Sequence, residues 1–294
     1  MNFQPAIKWS GSKRSQCDEI ISYFPRKIET YYESFLGGGS VAYRLMNSDI
    51  NVNKFVLSDL NSDLINLYKL IQNDYKSVVS HYELLWNELN KDSDFERKKL
   101  YFAEIRKRLN EKHDPKDFMF IMRTTTNGMP RYNSDGEFNN SFHITRNGIE
   151  PFRLEKILKE WNDTLNNHNV EFINASYDEF CPNENDFCYY DPPYANTKGM
   201  YFGAIDNGKF FSFLSDLKCP YCFSFDGFCE DEDSTYDVPK YVYDEHVYLK
   251  NGNSSFRRVI GNKIDKIIYE SLYIKGCEKQ KESIFEIQKL YKTI

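Results

Sequence analysis

The sequence predicts an α/β protein whose sheet is interrupted by a mainly helical insertion. Three observations predict this: a strand, glycine turn, helix and strand over residues 30–59; a basic helical stretch with a turn-rich tail over about 75–148; and a return to strand and helix alternation from 170. The 294 residues allow one large domain or two modest ones, and no repeat or low-complexity linker divides them.

Residues 30–34 (TYYES) read as the first strand, followed by the turn Phe35-Leu36-Gly37-Gly38-Gly39-Ser40 and a helix over 41–46. A second strand at 55–57 ends in Ser58-Asp59, and Asn61 suits the N-cap of a helix through Leu64, Leu67, Tyr68 and Ile71. Alternation then stops. Leu84, Leu85 and Leu89, then Phe118, Ile121 and Met122, mark several helices over about 75–125. The polar stretch 127–148 holds Asn127-Gly128, Asp135-Gly136 and Asn147-Gly148, which signal turns and a β-hairpin or long loop around Asp135-Gly136. A helix follows through Leu154, Ile157, Leu158, Trp161 and Leu165. Strands at 170–173 and 187–190, a helix at 210–217, a strand at 221–225 and β-rich segments at 241–249 and 264–274 complete the pattern.

Composition narrows the class. An apolar content of 40% with 16% aromatics supplies a globular core, and no run of ~18 apolar residues predicts a membrane span. The opening MNFQPAIKWSGSKR lacks the apolar core of a secretory signal. Seven scattered cysteines are an odd count that does not suit a disulfide framework, so reduced thiols and a cytoplasmic location are expected. The chain carries −6, yet residues 97–131 hold ten Lys/Arg against four Asp/Glu, a local +6 that leaves −12 elsewhere. Such a segment suits phosphate contacts or a solvated helix face equally well.

Three constellations bear on chemistry. Glycines at 37 and 39 let a backbone approach a ligand closely and leave N–H groups at the next helix start. The third glycine of the dinucleotide fingerprint and the Lys-Ser/Thr of a P-loop are both missing. Asp59, about twenty residues on at a strand tip, can accept hydrogen bonds from both hydroxyls of a ribose, or cap a helix. Together these favour an adenosine-containing cofactor.

The decisive segment is Asp191-Pro192-Pro193-Tyr194, directly after the apolar strand Phe187-Cys188-Tyr189-Tyr190. Consecutive prolines stiffen the strand end. A purine exocyclic amine is a poor nucleophile because its lone pair is delocalised. Hydrogen bonds from that amine to the Asp191 carboxylate and the Pro192 carbonyl would draw it toward a tetrahedral shape and expose the lone pair to a sulfonium methyl. Asp191 either accepts the proton or only polarises the amine. Tyr194 suits stacking on a flipped base. Cys219-Pro220-Tyr221-Cys222 resembles a redox or zinc pair, but it precedes a strand and no second pair lies at zinc spacing. The five histidines form no ligand spacing, and no metal is expected.

In order, Trp9-Ser10-Gly11-Ser12-Lys13, Phe35-Leu36-Gly37-Gly38-Gly39-Ser40, Ser58-Asp59-Leu60-Asn61 and Asp191-Pro192-Pro193-Tyr194 resemble the motifs of the Dam-type (alpha-group) adenine-specific DNA methyltransferases. The resemblance covers residues 5–275. It implies a Rossmann-like S-adenosylmethionine-dependent sheet formed by 1–61 and 165–294, with a mainly helical DNA-recognition domain carrying a β-hairpin at 62–164. It implies S-adenosyl-L-methionine as cofactor, held by Trp9, Lys13, Phe35, Gly37, Gly39, Asp59, Ser176 and Asp191, with Lys13 near the methionine carboxylate. Ser176 enters through Asn174-Ala175-Ser176-Tyr177, which resembles the segment beside the cofactor adenine. Asp191, Pro192, Pro193 and Tyr194 take the catalytic role.

Asn127-Gly128-x-x-Arg131-Tyr132-Asn133, then Gly136-Glu137-Phe138-Asn139, resembles the family's DNA-reading hairpin. Asn127, Arg131, Tyr132 and Asn133 are therefore candidate DNA contacts. Arg131 suits bidentate reading of guanine, and Lys8 a second contact near the target. The family pattern continues Val-Pro-Phe-Gly where Asn140-Ser141-Phe142-His143 stands here, so the target is GATC or a related short site. The expected substrate is double-stranded DNA, the expected state a monomer, and a cognate restriction endonuclease is a partner the resemblance admits. The rival readings are transfer to cytosine N4, a non-catalytic DNA-binding relic, and a nicotinamide-dependent oxidoreductase that leaves Asp191-Pro192-Pro193-Tyr194 unexplained.

Overall fold

The computed structural model describes residues 3–193, 205–229, 232–233, 235–251 and 268–280. In chain order the elements are α1 (Cys17–Ile21), β1 (Lys27–Glu33), α2 (Ser40–Met46), β2 (Asn51–Asp59), α3 (Ser62–Asn90), α4 (Phe95–Lys112), α5 (Pro115–Thr124), α6 (Pro151–Asn166), β3 (Val170–Asn174), β4 (Phe187–Tyr190), α7 (Asn207–Asp216), β5 (Tyr221–Phe225), β6 (Phe228–Cys229), β7 (Glu232–Asp233), β8 (Glu245–Asn251) and β9 (Ile268–Lys275).

The strands form one sheet in the order β3-β2-β1-β4-β5-β9-β6-β7, with β8 also on β9. The first five strands pair in parallel, and β9 runs antiparallel to β5 and β8. Parallel strands covered on both faces must be apolar throughout, and β4 and β5 are buried at every position. Side chains alternate between the two layers. Phe187, Tyr189 and Cys222 join the core under α2, α3 and α6, while Cys188, Tyr190 and Phe223 join the core under α7. The Rossmann-like sheet expected from the sequence is thus present. Its order reverses between β1 and β4, where open α/β sheets place their ligands, outside the carboxyl ends of the strands.

The insertion is anchored to the sheet at both ends. Tyr68 of α3 stacks on Phe172 of β3 at 5.4 Å, and Trp161 of α6 stacks on Tyr43 of α2 at 4.3 Å. Helix α3 breaks at Asp74 (φ −153°, ψ 62°), and its second half leaves the sheet to pack with α4 and α5. Helix α5 is buried all round from 117 to 122, and Leu84 faces outward with 70% exposure.

Five of the ten basic side chains of 97–131 (Arg97, Lys99, Lys107, Arg108 and Lys116) pair with carboxylates of the insertion. Arg97 pairs with Asp92 at 2.7 Å, Arg108 with Asp117 at 2.5 Å, Lys107 with Glu111 at 3.7 Å and Lys116 with Asp114 at 3.6 Å. Arg106 donates to the Asn140 carbonyl, and half-buried Arg123 to the carbonyls of Pro5 and Ala6, which ties α5 to the N-terminal segment. Net charge along a segment cannot reveal this pairing.

One further expectation changes. The strand expected over 241–249 begins only at Glu245, because a 3-10 turn over Lys240–Val242 follows Pro239. Cys219 and Cys222 point into opposite cores: Cys219 lies 3.5 Å from Cys188, while Cys222 shares a hydrogen bond with Cys277. They are not a pair, since residues three apart across a strand start face opposite sides.

Candidate active site

The β1–α2 turn is a backbone cradle. The Leu36 N–H donates to the Ser58 carbonyl at 3.0 Å and the Gly39 N–H to the Leu36 carbonyl at 2.8 Å. Gly37 (φ +47°) and Gly39 (φ +62°) are both left-handed, and Gly39 is the N-cap of α2. A Cβ on Gly37 would lie 2.8 Å from the Trp9 ring nitrogen, and one on Gly39 would lie 3.0 Å from the Tyr68 hydroxyl. Trp9 therefore packs directly on the turn.

Asp59 ends β2 beside this cradle. Its Oδ2 accepts the Gly37 N–H and its Oδ1 the Asn61 N–H, each at 3.0 Å. Burial pushes its carboxyl above the usual range, against the backbone donors that favour the anion. The carboxylate keeps acceptor capacity beyond these backbone donors for a ligand hydroxyl.

Asp191 follows β4 on the other side of the switch point. Lys13, only 5% exposed, reaches both its oxygens at 2.8 Å, and also meets Glu270 of β9 at 3.4 Å and the Gly11 carbonyl at 3.3 Å. A cation and two carboxylates are thus gathered in a half-buried setting.

These groups line a single cleft of about 360 Å³, within the ordinary range for small-molecule sites. Trp9, Lys13, Phe35, Gly37, Gly39, Asp59, Ser176, Asp191, Pro192 and Pro193 all line it. Phe35 stacks on Tyr177 at 5.6 Å as an aromatic wall, and Ser176 forms a capping box with Glu179 at the next 3-10 turn. Tyr194 lies outside the described residues.

None of the candidate DNA contacts lines the cleft, although Pro130, next to Arg131, does. Around Gly136 (φ +79°) the chain turns back with a Tyr132–Phe138 bridge, a minimal hairpin. Asn133 builds the turn, its Oδ1 accepting from the N–H groups of Asp135 and Glu137. Asn127 is left-handed (φ 58°) at a 3-10 turn, and Gly128 packs against Lys8. Tyr132 turns inward and accepts a hydrogen bond from Asn61 at 2.6 Å, whereas Arg131 is exposed.

Several lining residues escaped sequence reasoning. Glu33, buried at the end of β1, accepts the Tyr31 hydroxyl at 2.6 Å, and burial pushes its carboxyl up to about 8. A charge closing an apolar strand just before a glycine turn was the available signal. Glu270 had none, since only the pairing of β9 with β5 carries it to Lys13.

The family model for D12 class N6 adenine-specific DNA methyltransferase matches residues 9–218. A DNA adenine methylase of Vibrio cholerae is 32% identical over 210 residues, covering 69% of this chain and 70% of that protein. A type II methyltransferase of Methanocaldococcus jannaschii is 30% identical over 66% of this chain and 70% of its own length. One of Lactococcus lactis subsp. cremoris is 27% identical over 66% of each chain, so the match leaves about a third of these relatives uncovered. The chain belongs to the D12 class N6 adenine-specific DNA methyltransferases, enzymes that methylate adenine N6 in DNA and whose family and fold imply S-adenosylmethionine. Among the described residues no helix is long and apolar enough to cross a membrane.

Proposed function

We propose that this chain transfers a methyl group from S-adenosylmethionine to adenine N6 in a short site of duplex DNA, and that Asp191 and Pro192 activate the amine. The carrying observation is that Asp191, at the carboxyl end of β4, shares one cleft with the left-handed glycine cradle and Asp59. The residues present fit the cofactor. Asp59 offers lone pairs to a ribose diol, Phe35 and Tyr177 offer a flat apolar wall, and Lys13 with Asp191 offers one cation and one anion to a zwitterionic amino acid end.

S-adenosylmethionine supplies an electrophilic methyl group on a sulfonium. The chain does the rest. The Asp191 carboxylate and the Pro192 carbonyl accept the two amine hydrogens of a flipped adenine, which localises the nitrogen lone pair. Prolines at 192 and 193 hold the corner stiff, and the Lys13 ion pair orients Asp191.

Residues 62–164 serve as the recognition domain in this reading, with exposed Arg131 reading a base edge. The target is GATC or a relative. The side chain of Asn140, where the family pattern has valine, turns inward to the carbonyls of Thr126 and Met129 at 3.0 Å. Phosphate contacts fall to Lys8, His143 and exposed Arg146; burial first, then neighbouring Arg146, holds both the Lys8 ammonium and the His143 imidazole below their usual pKa. A restriction endonuclease of matching specificity is the partner suggested by the relatives named type II methyltransferases. A substrate of chromosomal or phage DNA suits the cytoplasm.

The test is incubation of the purified protein with labelled S-adenosylmethionine and duplex DNA, followed by nucleoside analysis. N6-methyladenine that disappears in Asp191→Asn supports the reading. N4-methylcytosine, or undiminished activity of the variant, overturns it.

A further inference from the structure

The cofactor cleft and the hairpin share a wall made of consecutive hydrogen bonds. Asp59 Oδ1 accepts the Asn61 N–H at 3.0 Å. Asn61 is 3% exposed, and its Oδ1 is committed to the Leu64 N–H at 3.1 Å as the cap of α3. Its Nδ2 can then only face outward from the cap, and it donates to the Tyr132 hydroxyl at 2.6 Å. Tyr132 bridges Phe138, whose N–H and carbonyl are both clamped by the Asn110 side chain at 2.9 and 3.1 Å. Pro130, two residues before Tyr132, lines the cleft itself.

We propose that Asn61 and Tyr132 couple occupancy of the cleft to the seating of the hairpin on DNA, with Tyr132 acting as a positioning residue for neighbouring Arg131. The inference rests on the reading above of the cleft as a nucleoside site and the hairpin as a DNA surface. A diol bound to Asp59 adds two donors that fix the orientation of the carboxylate, so the Asn61 N–H keeps a firm acceptor. In the empty cleft only the backbone donors hold that side chain, and the Asn61 contact is less firmly held. The difference passes through the rigid cap to Tyr132, and so to the strand that carries Arg131. Because coupling is reciprocal, DNA must tighten cofactor binding by the same factor that cofactor tightens DNA binding.

The test measures duplex affinity with and without saturating S-adenosylhomocysteine, and S-adenosylhomocysteine affinity with and without duplex, using the site read from methylated DNA. The wild type is expected to show one mutual factor within about 5–150-fold. Tyr132→Phe is expected to bring that factor to within about twofold of unity while S-adenosylhomocysteine alone binds as before. Asn61→Asp, which keeps the cap but removes the donor, is expected to do the same to the factor. A merely structural role would weaken both ligands and leave the factor intact, which overturns the proposal. So does a wild type that binds both ligands with no mutual effect. A wild type that binds neither ligand overturns the functional reading, and this inference with it.

Discussion

Lys13 Nζ lies 2.8 Å from both carboxylate oxygens of Asp191, joining residues 178 positions apart across the sheet's switch point. The pair sets the charge of the site. Asp191→Asn keeps the shape and removes the anion, so methyl transfer should fall by about 10²–10⁴-fold. Rate measurements at saturating cofactor and DNA, with circular dichroism to confirm folding, check this. Lys13→Ala should weaken S-adenosylhomocysteine binding more than DNA binding, as calorimetric titration of each ligand would read.

The glycine cradle has no room for side chains. Gly39→Ala forces an alanine to φ +62° against the Tyr68 hydroxyl, and should cost about 1–2 kcal/mol or more in stability. Gly37→Ala should instead displace Trp9, so its main effect is weaker cofactor binding. Thermal melts with and without S-adenosylhomocysteine separate the two.

Glu33 should make stability depend on pH. Burial raises its carboxyl to about 8, well above the ordinary carboxylate value of 4.5. Between those values the folded chain holds a proton that the unfolded chain releases. Its contribution is therefore complete below about 4.5 and is lost as pH rises to about 8. Denaturant melts across that range should show the wild type losing stability relative to Glu33→Gln. Equal slopes would refute the assignment.

DNA affinity should carry two signatures of the basic cluster. Burial first, then Arg146 and Arg123, pulls the Lys8 ammonium down to about 8, so binding should weaken as pH passes that value. Lys8→Gln should remove this step. Arg146→Gln should reduce the slope of log affinity against log salt by about 0.9, the value of one phosphate contact. An unchanged slope would exclude Arg146 from the interface.

The motifs were legible because each is local. The glycine turn, Asp59 at its strand tip and the stiff corner at Asp191 each announce a backbone shape, and all line the cleft that the structure forms. The insertion was legible as helices but not as a charge surface, because a sequence cannot say that Arg108 spends its charge on Asp117 or Arg123 on two backbone carbonyls. Tyr132 shows the same limit. Its place in the hairpin follows from the neighbouring Asn-Gly and Asp-Gly turns, but its bond to Asn61 does not.

Short-range chemistry was therefore determined by the chain alone: which residues turn, which strands are buried on both faces, and which acid stands at a rigid corner. Tertiary structure alone decided what lies opposite what. Antiparallel pairing of β9 with β5 carries Glu270 to Lys13, and the anchoring of both ends of the insertion on the sheet brings the hairpin beside the cleft. The reason is physical. Turn and strand preferences act over a few residues, whereas pairing of charges and hydrogen bonds depends on distances that only the packed sheet sets.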